Sequence, residues 1–182
     1  MSQTPRTDAV SIRVPATTAN LGPGFDTLGL ALSMWNHIRV EWSDRPRVDV
    51  HGEGSDHLST DGRNMTYRAA ARLLREAGED HRHMHIESWQ VVPLSRGLGS
   101  SSAAIVAGLL AGAALAEVEF EQEQLIKLAA DLDGHPDNVA PAILGGMCVV
   151  VQSELDAELD LDPRPGRWIT NQISLPDDLQ AV

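Results

Sequence analysis

A loop rich in glycine and serine, followed at once by an apolar segment, is the strongest chemical signal in the sequence. Gly97 and Gly99 allow the backbone to approach an anion closely, and the serines at positions 100 to 102 supply hydroxyl donors. Successive N–H groups in such a turn form an anion-binding concavity, to which the following helix adds about half a positive charge at its start. The segment therefore predicts a phosphate-binding loop. Its residues are Pro93, Leu94, Ser95, Arg96, Gly97, Leu98, Gly99, Ser100, Ser101, Ser102 and Ala103.

This loop differs from the two common nucleotide-binding loops. A Walker A sequence requires a Gly-Lys-Ser/Thr triplet, and this segment contains no lysine. The dinucleotide fingerprint requires a third glycine where Ser102 stands. Taken alone, a glycine-serine turn before a helix is equally compatible with an ordinary helix cap.

Two other segments contain the polar groups that phosphoryl transfer requires. Val14–Asp26 includes Asn20, and Asp26 is the only ionisable side chain of that segment. Asp133–Asn138 has four polar side chains in six residues. Each segment alone is typical of a turn with Asx capping. Together with the predicted phosphate loop they supply an anion site, a carboxylate for magnesium and polar groups for an acceptor.

Helices and strands of moderate length must position these segments. Apolar spacing predicts helices at Met65–Ala77, Ser102–Val118 and Glu121–Asp131. Clusters of turn-forming residues predict loops at Ala16–Asp26 and Gly134–Pro141. The predicted strands are Ser11–Pro15, Leu28–Leu32, Asn36–Trp42, Arg47–His51, the histidine-rich segment that ends at Leu94, Leu144–Val151 and Trp168–Leu175.

Composition narrows the class of protein. With 42% hydrophobic residues the chain can bury a core, and its net charge of −12 disfavours binding to nucleic acid or anionic membranes. Cys148 is the single cysteine, and no apolar leader follows Met1, so we expect a cytoplasmic protein.

His81, His83 and His85 alternate at strand spacing. A transition-metal site is one interpretation, but a solvated strand face is favoured because no cysteine or carboxylate cluster accompanies them.

Three segments resemble, in the same order, the signature sequences of the GHMP small-molecule kinases. They are Val14–Leu32, Pro93–Ala103 and Gly134–Gly146. The third, which reads GHPDNVAPAILGG, has the form found in the members of that family that act on L-homoserine. The resemblance implies a two-layer α+β fold, the GHMP-kinase N-terminal domain, with a left-handed β-α-β crossover that is rare in proteins.

The resemblance also implies a reaction, in which the γ-phosphoryl group of ATP is transferred to the side-chain hydroxyl of L-homoserine, on the path to threonine. ATP and Mg²⁺ are the implied cofactors, and the small-molecule substrate is the implied partner. Pro93–Ala103 would surround the triphosphate, and Asn64 and Met65 fall where the family contacts adenine.

On the acceptor side, the resemblance places Asn20 and Asp26 at the amino acid, with Asp26 balancing its ammonium group. Asp137 and Asn138 would hold the substrate around the reacting hydroxyl and are the predicted catalytic residues. No residue is an obvious general base, and His135 is expected to be structural. Positioning and charge neutralisation can supply most of the catalysis in a loose transition state.

The resemblance places Ser100 or Ser101 near magnesium, and the predicted magnesium ligands are Ser100 and Asp133. The family usually has glutamate at the position of Asp133. Because aspartate is one methylene shorter, direct coordination, coordination through water and a role for Asp131 all stay open.

The expected organisation is an ATP-binding domain at residues 1–165, with residues 166–182 beginning a C-terminal domain that is largely absent. Nothing after Val150 resembles the second glycine-rich segment or the substrate-binding arginines of the family. We therefore expect the 182-residue chain alone to be a weak or inactive kinase that self-associates, with a homodimer as one form. Two alternatives stay open: a GHMP kinase acting on another alcohol, and a catalytically inactive ATP-binding module.

Overall fold

Six strands form one mixed sheet with four helices in the part of the chain that the structure, a computed structural model, describes: residues 8–79, 82–152 and 168–176. The strands are β1 (Ala9–Leu21), β2 (Gly24–Ser43), β3 (Arg47–Gly52), β4 (His83–Gln90), β5 (Met147–Gln152) and β6 (Trp168–Ile173). The helices are α1 (Met65–Glu76), α2 (Ser100–Ala116), α3 (Gln122–Asp133) and α4 (Pro136–Leu144). The strand order is β3-β4-β2-β5-β6, and β1 pairs with β2.

Strand β4 separates a buried face of the sheet from an exposed face. Met84 and Ile86 are fully buried in the core, whereas His83 is exposed and His85 is half-buried on the other face. This alternation is the period-2 pattern of a strand with one covered side. The α+β class and two-layer architecture predicted from the sequence are therefore confirmed. His81 lies outside the described residues.

The half-buried His85 lies between two carboxylates on the exposed face. Its Nδ1 is 3.2 Å from Glu41 Oε1, and its Nε2 is 2.9 Å from Asp49 Oδ2. Hydrogen bonds from His85 and Arg39 lower the pKa of Glu41, and hydrogen bonds from Arg47 and His85 lower the pKa of Asp49. This histidine thus cross-links β2, β4 and β3 by polar contacts.

Helix α2 is apolar on all sides because it packs against α1 as well as against the sheet. Gly108 permits the close approach of the two helices, since a Cβ atom there would overlap the backbone oxygen of Thr66. A Cβ atom at Gly112 would lie 2.8 Å from the backbone oxygen of Ala70. Across the described ranges, no helix is both long enough and apolar enough to span a membrane.

Strands β1 and β2 form a long antiparallel hairpin that turns at Gly22 and Pro23. The predicted loop at Ala16–Asp26 is therefore wrong for most of its length, because β1 continues to Leu21 and β2 begins at Gly24. Turn-forming residues are accommodated here because pairing with β2 satisfies their backbone groups, with irregularities after Pro15 and Ala19.

Helix α4 replaces most of the second predicted loop, Gly134–Pro141. Pro136 stands at the start of the helix, where its missing N–H costs no hydrogen bond. Val139 and Ala140 are fully buried, so tertiary packing stabilises a helix of only nine residues despite the internal Pro141.

The other predicted helices are confirmed with small shifts of their ends. The helix predicted at Met65–Ala77 is α1, which crosses between the parallel strands β3 and β4. Helix α2 begins two residues before the predicted start at Ser102. Helix α3 runs to Asp133 and ends at Gly134, which adopts a left-handed conformation with φ +90°.

Strand β6 pairs antiparallel with β5 at the edge of the sheet. The sheet therefore includes residues beyond the predicted domain boundary at residue 165. Val151 and Ile169 face each other across this pair and are exposed, as is Ile173.

A buried polar network connects β2 to the end of β4, directly before the predicted phosphate loop. Asn36 Oδ1 accepts hydrogen bonds from the backbone N–H groups of Val91 (2.8 Å) and Val92 (2.9 Å). Asn36 Nδ2 donates to Gln90 Oε1, and Gln90 Nε2 donates to Ser88 Oγ. One amide side chain thereby holds the segment that leads into the loop.

We predict that Asn36→Ala destabilises the fold by about 2–4 kcal/mol, because it leaves backbone donors near the core without their acceptor. Urea unfolding measures the loss. Asn64→Ala is the control: it removes the cap of α1, where Asn64 accepts from Thr66 N, and should cost about 1 kcal/mol. A smaller loss for Asn36→Ala than for Asn64→Ala would contradict the importance of the network.

Candidate active site

The predicted phosphate loop is held in an uncommon backbone conformation. Ser95, Gly97 and Gly99 have φ values of +55°, +71° and +61°, in the left-handed region. Gly99 is the N-cap of α2 and, having no side chain, leaves the first turn of the helix without a side-chain cap. Backbone N–H groups at the start of α2 are therefore available to an anion.

Thr17 of β1 joins this loop to the start of α4. It is fully buried, its backbone N–H donates to Leu98 O at 3.1 Å, and its Oγ1 donates to Asn138 Oδ1 at 2.9 Å. Gly99 lies against the same group: a Cβ atom there would overlap Thr17 Oγ1 and lie 3.1 Å from Asn138 Oδ1. Three segments far apart in the sequence thus meet at one threonine.

Asp133, the last residue of α3, contacts the start of α2. Its Oδ1 accepts from Ser101 Oγ at 2.8 Å and its Oδ2 accepts from Ser102 Oγ. The carboxylate therefore contacts the two serines that follow the predicted ligand Ser100. Asp131, the alternative carboxylate, forms an ion pair with Lys127 at 3.1 Å on the exposed side of α3.

Asp137 and Asn138 occupy the first turn of α4. Asp137 is almost completely buried, and its Oδ1 accepts from the backbone N–H of Asn138 at 2.9 Å. Burial raises the pKa of Asp137, and the negative charge of Asp26 adds to this increase, whereas His135 opposes it. The residues predicted for the acceptor side, Asp26 and Asp137, thus share one electrostatic environment.

Close packing of β2 against α4 sets the position of Asp137. A Cβ atom at Gly29 would overlap the backbone oxygen of Asp137 and lie 3.0 Å from the ring of Pro141. Only glycine fits at position 29 at this distance. Gly29 and Thr17 could not be predicted individually from the sequence, because the residues that they contact are remote in the chain: Thr17 and Asn138 are 121 positions apart.

Asn20 and Asp26 lie at the exposed end of the β1–β2 hairpin. Asn20 Oδ1 accepts from the backbone N–H of Asp26 at 3.0 Å, and both residues have positive φ values, +59° and +51°. Asparagine and aspartate tolerate this conformation better than most residues. The bond fixes the backbone of the turn and leaves the Asp26 carboxylate exposed.

Asn64 and Met65, predicted near adenine, stand at the start of α1. Asn64 is mostly buried; its Oδ1 accepts from Thr66 N at 3.0 Å, and its Nδ2 donates to Ser59 O at 2.8 Å. The Asn64 side chain is therefore committed to capping the helix. Met65 is exposed and offers an apolar surface.

Comparison with known proteins identifies the class of this fold and site. Residues 64–146 match the family model for the GHMP kinases N terminal domain. This match includes two of the three segments, Pro93–Ala103 and Gly134–Gly146, and agrees with the resemblance to the GHMP kinases drawn from the sequence.

The curated relatives that are similar in sequence include several homoserine kinases. One from Moorella thermoacetica is 44% identical over 171 residues, which cover 94% of this chain and 54% of the relative. One from Cutibacterium acnes is 46% identical over 145 residues, covering 76% and 49%. The crystal structure of homoserine kinase from Cytophaga hutchinsonii has a TM-score of 0.74 at 26% identity, covering 97% and 55%. The chain thus spans about half the length of the relatives it matches.

We predict that Gly99→Ala disrupts the loop much more than Gly97→Ala. Both replacements put a side chain in a left-handed conformation, which costs about 1–2 kcal/mol. A Cβ atom at Gly97 meets open space, whereas one at Gly99 collides with Thr17. Urea unfolding should show the larger loss for Gly99→Ala, and ATP titration should show binding lost in that variant alone. Equal effects of the two replacements would contradict this packing.

Proposed function

We propose that this chain forms the nucleotide-binding part of a homoserine kinase, which transfers the γ-phosphoryl group of ATP to the side-chain hydroxyl of L-homoserine, a step toward threonine. The observation that carries the proposal is the convergence at Thr17 of the phosphate loop and the Asp137-Asn138 pair. Similarity to homoserine kinases over most of this chain supports the same reaction.

The loop Pro93–Ala103 would bind the triphosphate through backbone N–H groups. This mode suits a chain of net charge −12, because the positive potential comes from the backbone and the helix start. Gly97 borders open space, which leaves room for phosphate oxygens. Met65, exposed at the start of α1, would contact the adenine ring.

Mg²⁺ fits beside the loop. Asp133 and the hydroxyls of Ser101 and Ser102 already lie together, and all three supply the oxygen ligands that this ion prefers. The described residues contain no group of three or more His, Cys, Asp or Glu arranged for a metal. One carboxylate, together with hydroxyls including the predicted Ser100, would hold the ion, which neutralises phosphate charge when bound.

The acceptor would lie between the hairpin end and the start of α4. The negative charge of Asp26 acts on Asp137, and a cation near both carboxylates would be favoured; the ammonium group of homoserine supplies one. Asn20 holds the turn that presents Asp26, while Asn138 lies next to the phosphate loop. This arrangement would place the hydroxyl near the phosphoryl group, and positioning can contribute several kcal/mol to catalysis.

We also propose that the protein acts in the cytoplasm on small molecules and binds neither nucleic acid nor membrane. The net charge of −12 supports this proposal. The exposed apolar residues Val151, Ile169 and Ile173 support self-association of the isolated chain.

We predict that the full-length protein phosphorylates L-homoserine faster than mevalonate, galactose or shikimate at equal concentrations. A coupled assay of ADP release measures the four rates. Preference for one of the other alcohols would instead favour a GHMP kinase of different specificity. ATP binding without turnover of any alcohol would favour an inactive nucleotide-binding module.

Asp133→Asn should raise the Mg²⁺ concentration needed for half-maximal turnover at least about tenfold, because the neutral amide binds the cation poorly. Asp131→Asn is the matched control: it removes the same charge two residues away, where the carboxylate pairs with Lys127. Titration of turnover with Mg²⁺ separates the two. A larger effect of Asp131→Asn would assign the metal to that residue.

A further inference from the structure

We infer that Thr17 is a positioning residue, whose hydroxyl orients the side-chain amide of Asn138 so that Asn138 acts as a hydrogen-bond donor at the reacting centre. The inference deepens the proposed kinase function and rests on it. In this scheme the Thr17 side chain contacts neither nucleotide nor acceptor and acts through Asn138 alone.

The geometry of the pair selects one orientation of the amide. The Thr17 hydroxyl donates to Asn138 Oδ1 at 2.9 Å, in a site where Thr17 is fully buried. Because Oδ1 faces the Thr17 hydroxyl, the Nδ2 group of Asn138 is left to donate hydrogen bonds toward the site. Asn138 would therefore donate through Nδ2 to an oxygen at the reacting centre, such as an oxygen of the transferred phosphoryl group.

The Thr17 side chain and backbone contact different segments: the hydroxyl contacts Asn138 and the backbone N–H contacts the phosphate loop. The backbone N–H donates to Leu98 O in the phosphate loop, and a change of side chain preserves this bond. Thr17→Val removes only the hydroxyl and nearly keeps the volume, so the loop should keep its position. Loss of the hydroxyl frees the amide to rotate, because the bond to Thr17 Oγ1 no longer holds it.

The test uses the full-length protein with Thr17→Val, Thr17→Ser, Asn138→Ala and the double variant Thr17→Val/Asn138→Ala. We expect Thr17→Val to lower kcat with L-homoserine at least about tenfold while the Kd of ATP changes less than about threefold. Thr17→Ser, which keeps the donor, should restore most of the turnover. In the Asn138→Ala background, Thr17→Val should have no further effect on kcat.

Thr66→Val is the matched control, since Thr66 is another buried threonine, in α1. It should leave kcat unchanged even where it lowers the melting temperature. Equal losses of kcat in Thr17→Val and Thr66→Val, or additive losses in the double variant, would overturn the inference.

Urea unfolding of the same four Thr17 and Asn138 variants and the wild type separates this inference from the proposed function. Absence of homoserine phosphorylation by the wild type would refute the proposed function. The unfolding data would still decide whether Thr17 and Asn138 are coupled: additive effects on stability would show that the hydrogen bond does not hold the amide, and the inference would fall as well.

Discussion

The close approach of Thr17, Gly99 and Asn138 is the constraint on which the geometry of the site depends. The backbone of the loop can pass over Thr17 only because Gly99 has no side chain, and the same contact brings Asn138 next to the start of α2. Two other glycines permit close packing of the elements around this contact. Gly29 lets β2 lie against α4 below Asp137, and Gly108 lets α1 and α2 lie close together. In each case the absence of a Cβ atom sets the distance between two elements.

The proposed site has two parts of opposite electrostatic character: a loop suited to anions and a group of carboxylates suited to cations. In the proposed site the loop, which contains no lysine, would attract anions through backbone N–H groups and the start of α2. Asp133 contacts the start of α2, and the negative charge of Asp26 acts on Asp137 in the first turn of α4. Burial raises the pKa of Asp137, and the negative charge of Asp26 adds to this increase. A site of this kind suits a ligand set that combines phosphate, a divalent cation and an ammonium group.

Local sequence patterns predicted the elements well where one physical signal was dominant. Helix α1 was predicted from its apolar spacing and the glycine beyond its end, and the structure agrees to within a residue. Predictions failed where turn-forming residues occur inside regular structure. The Thr-Asn segment of β1 and the Pro-rich start of α4 both have loop-like compositions, yet β-pairing in one case and burial of Val139 and Ala140 in the other stabilise regular structure.

Residue types and short-range spacing were sufficient to predict the polar groups of the proposed site: a glycine-serine loop before a helix and a carboxylate and amide pair at 137 and 138. The acidic composition adds that a phosphate site in this chain would depend on backbone N–H groups. Tertiary structure alone decided which groups meet. It placed Asp133 rather than Asp131 against the serines of α2, committed Asn64 to a helix cap, and connected the loop to Asn138 through a buried threonine. Contacts of this kind join residues separated by up to 121 positions, and they depend on the packing of whole elements, which no local pattern encodes.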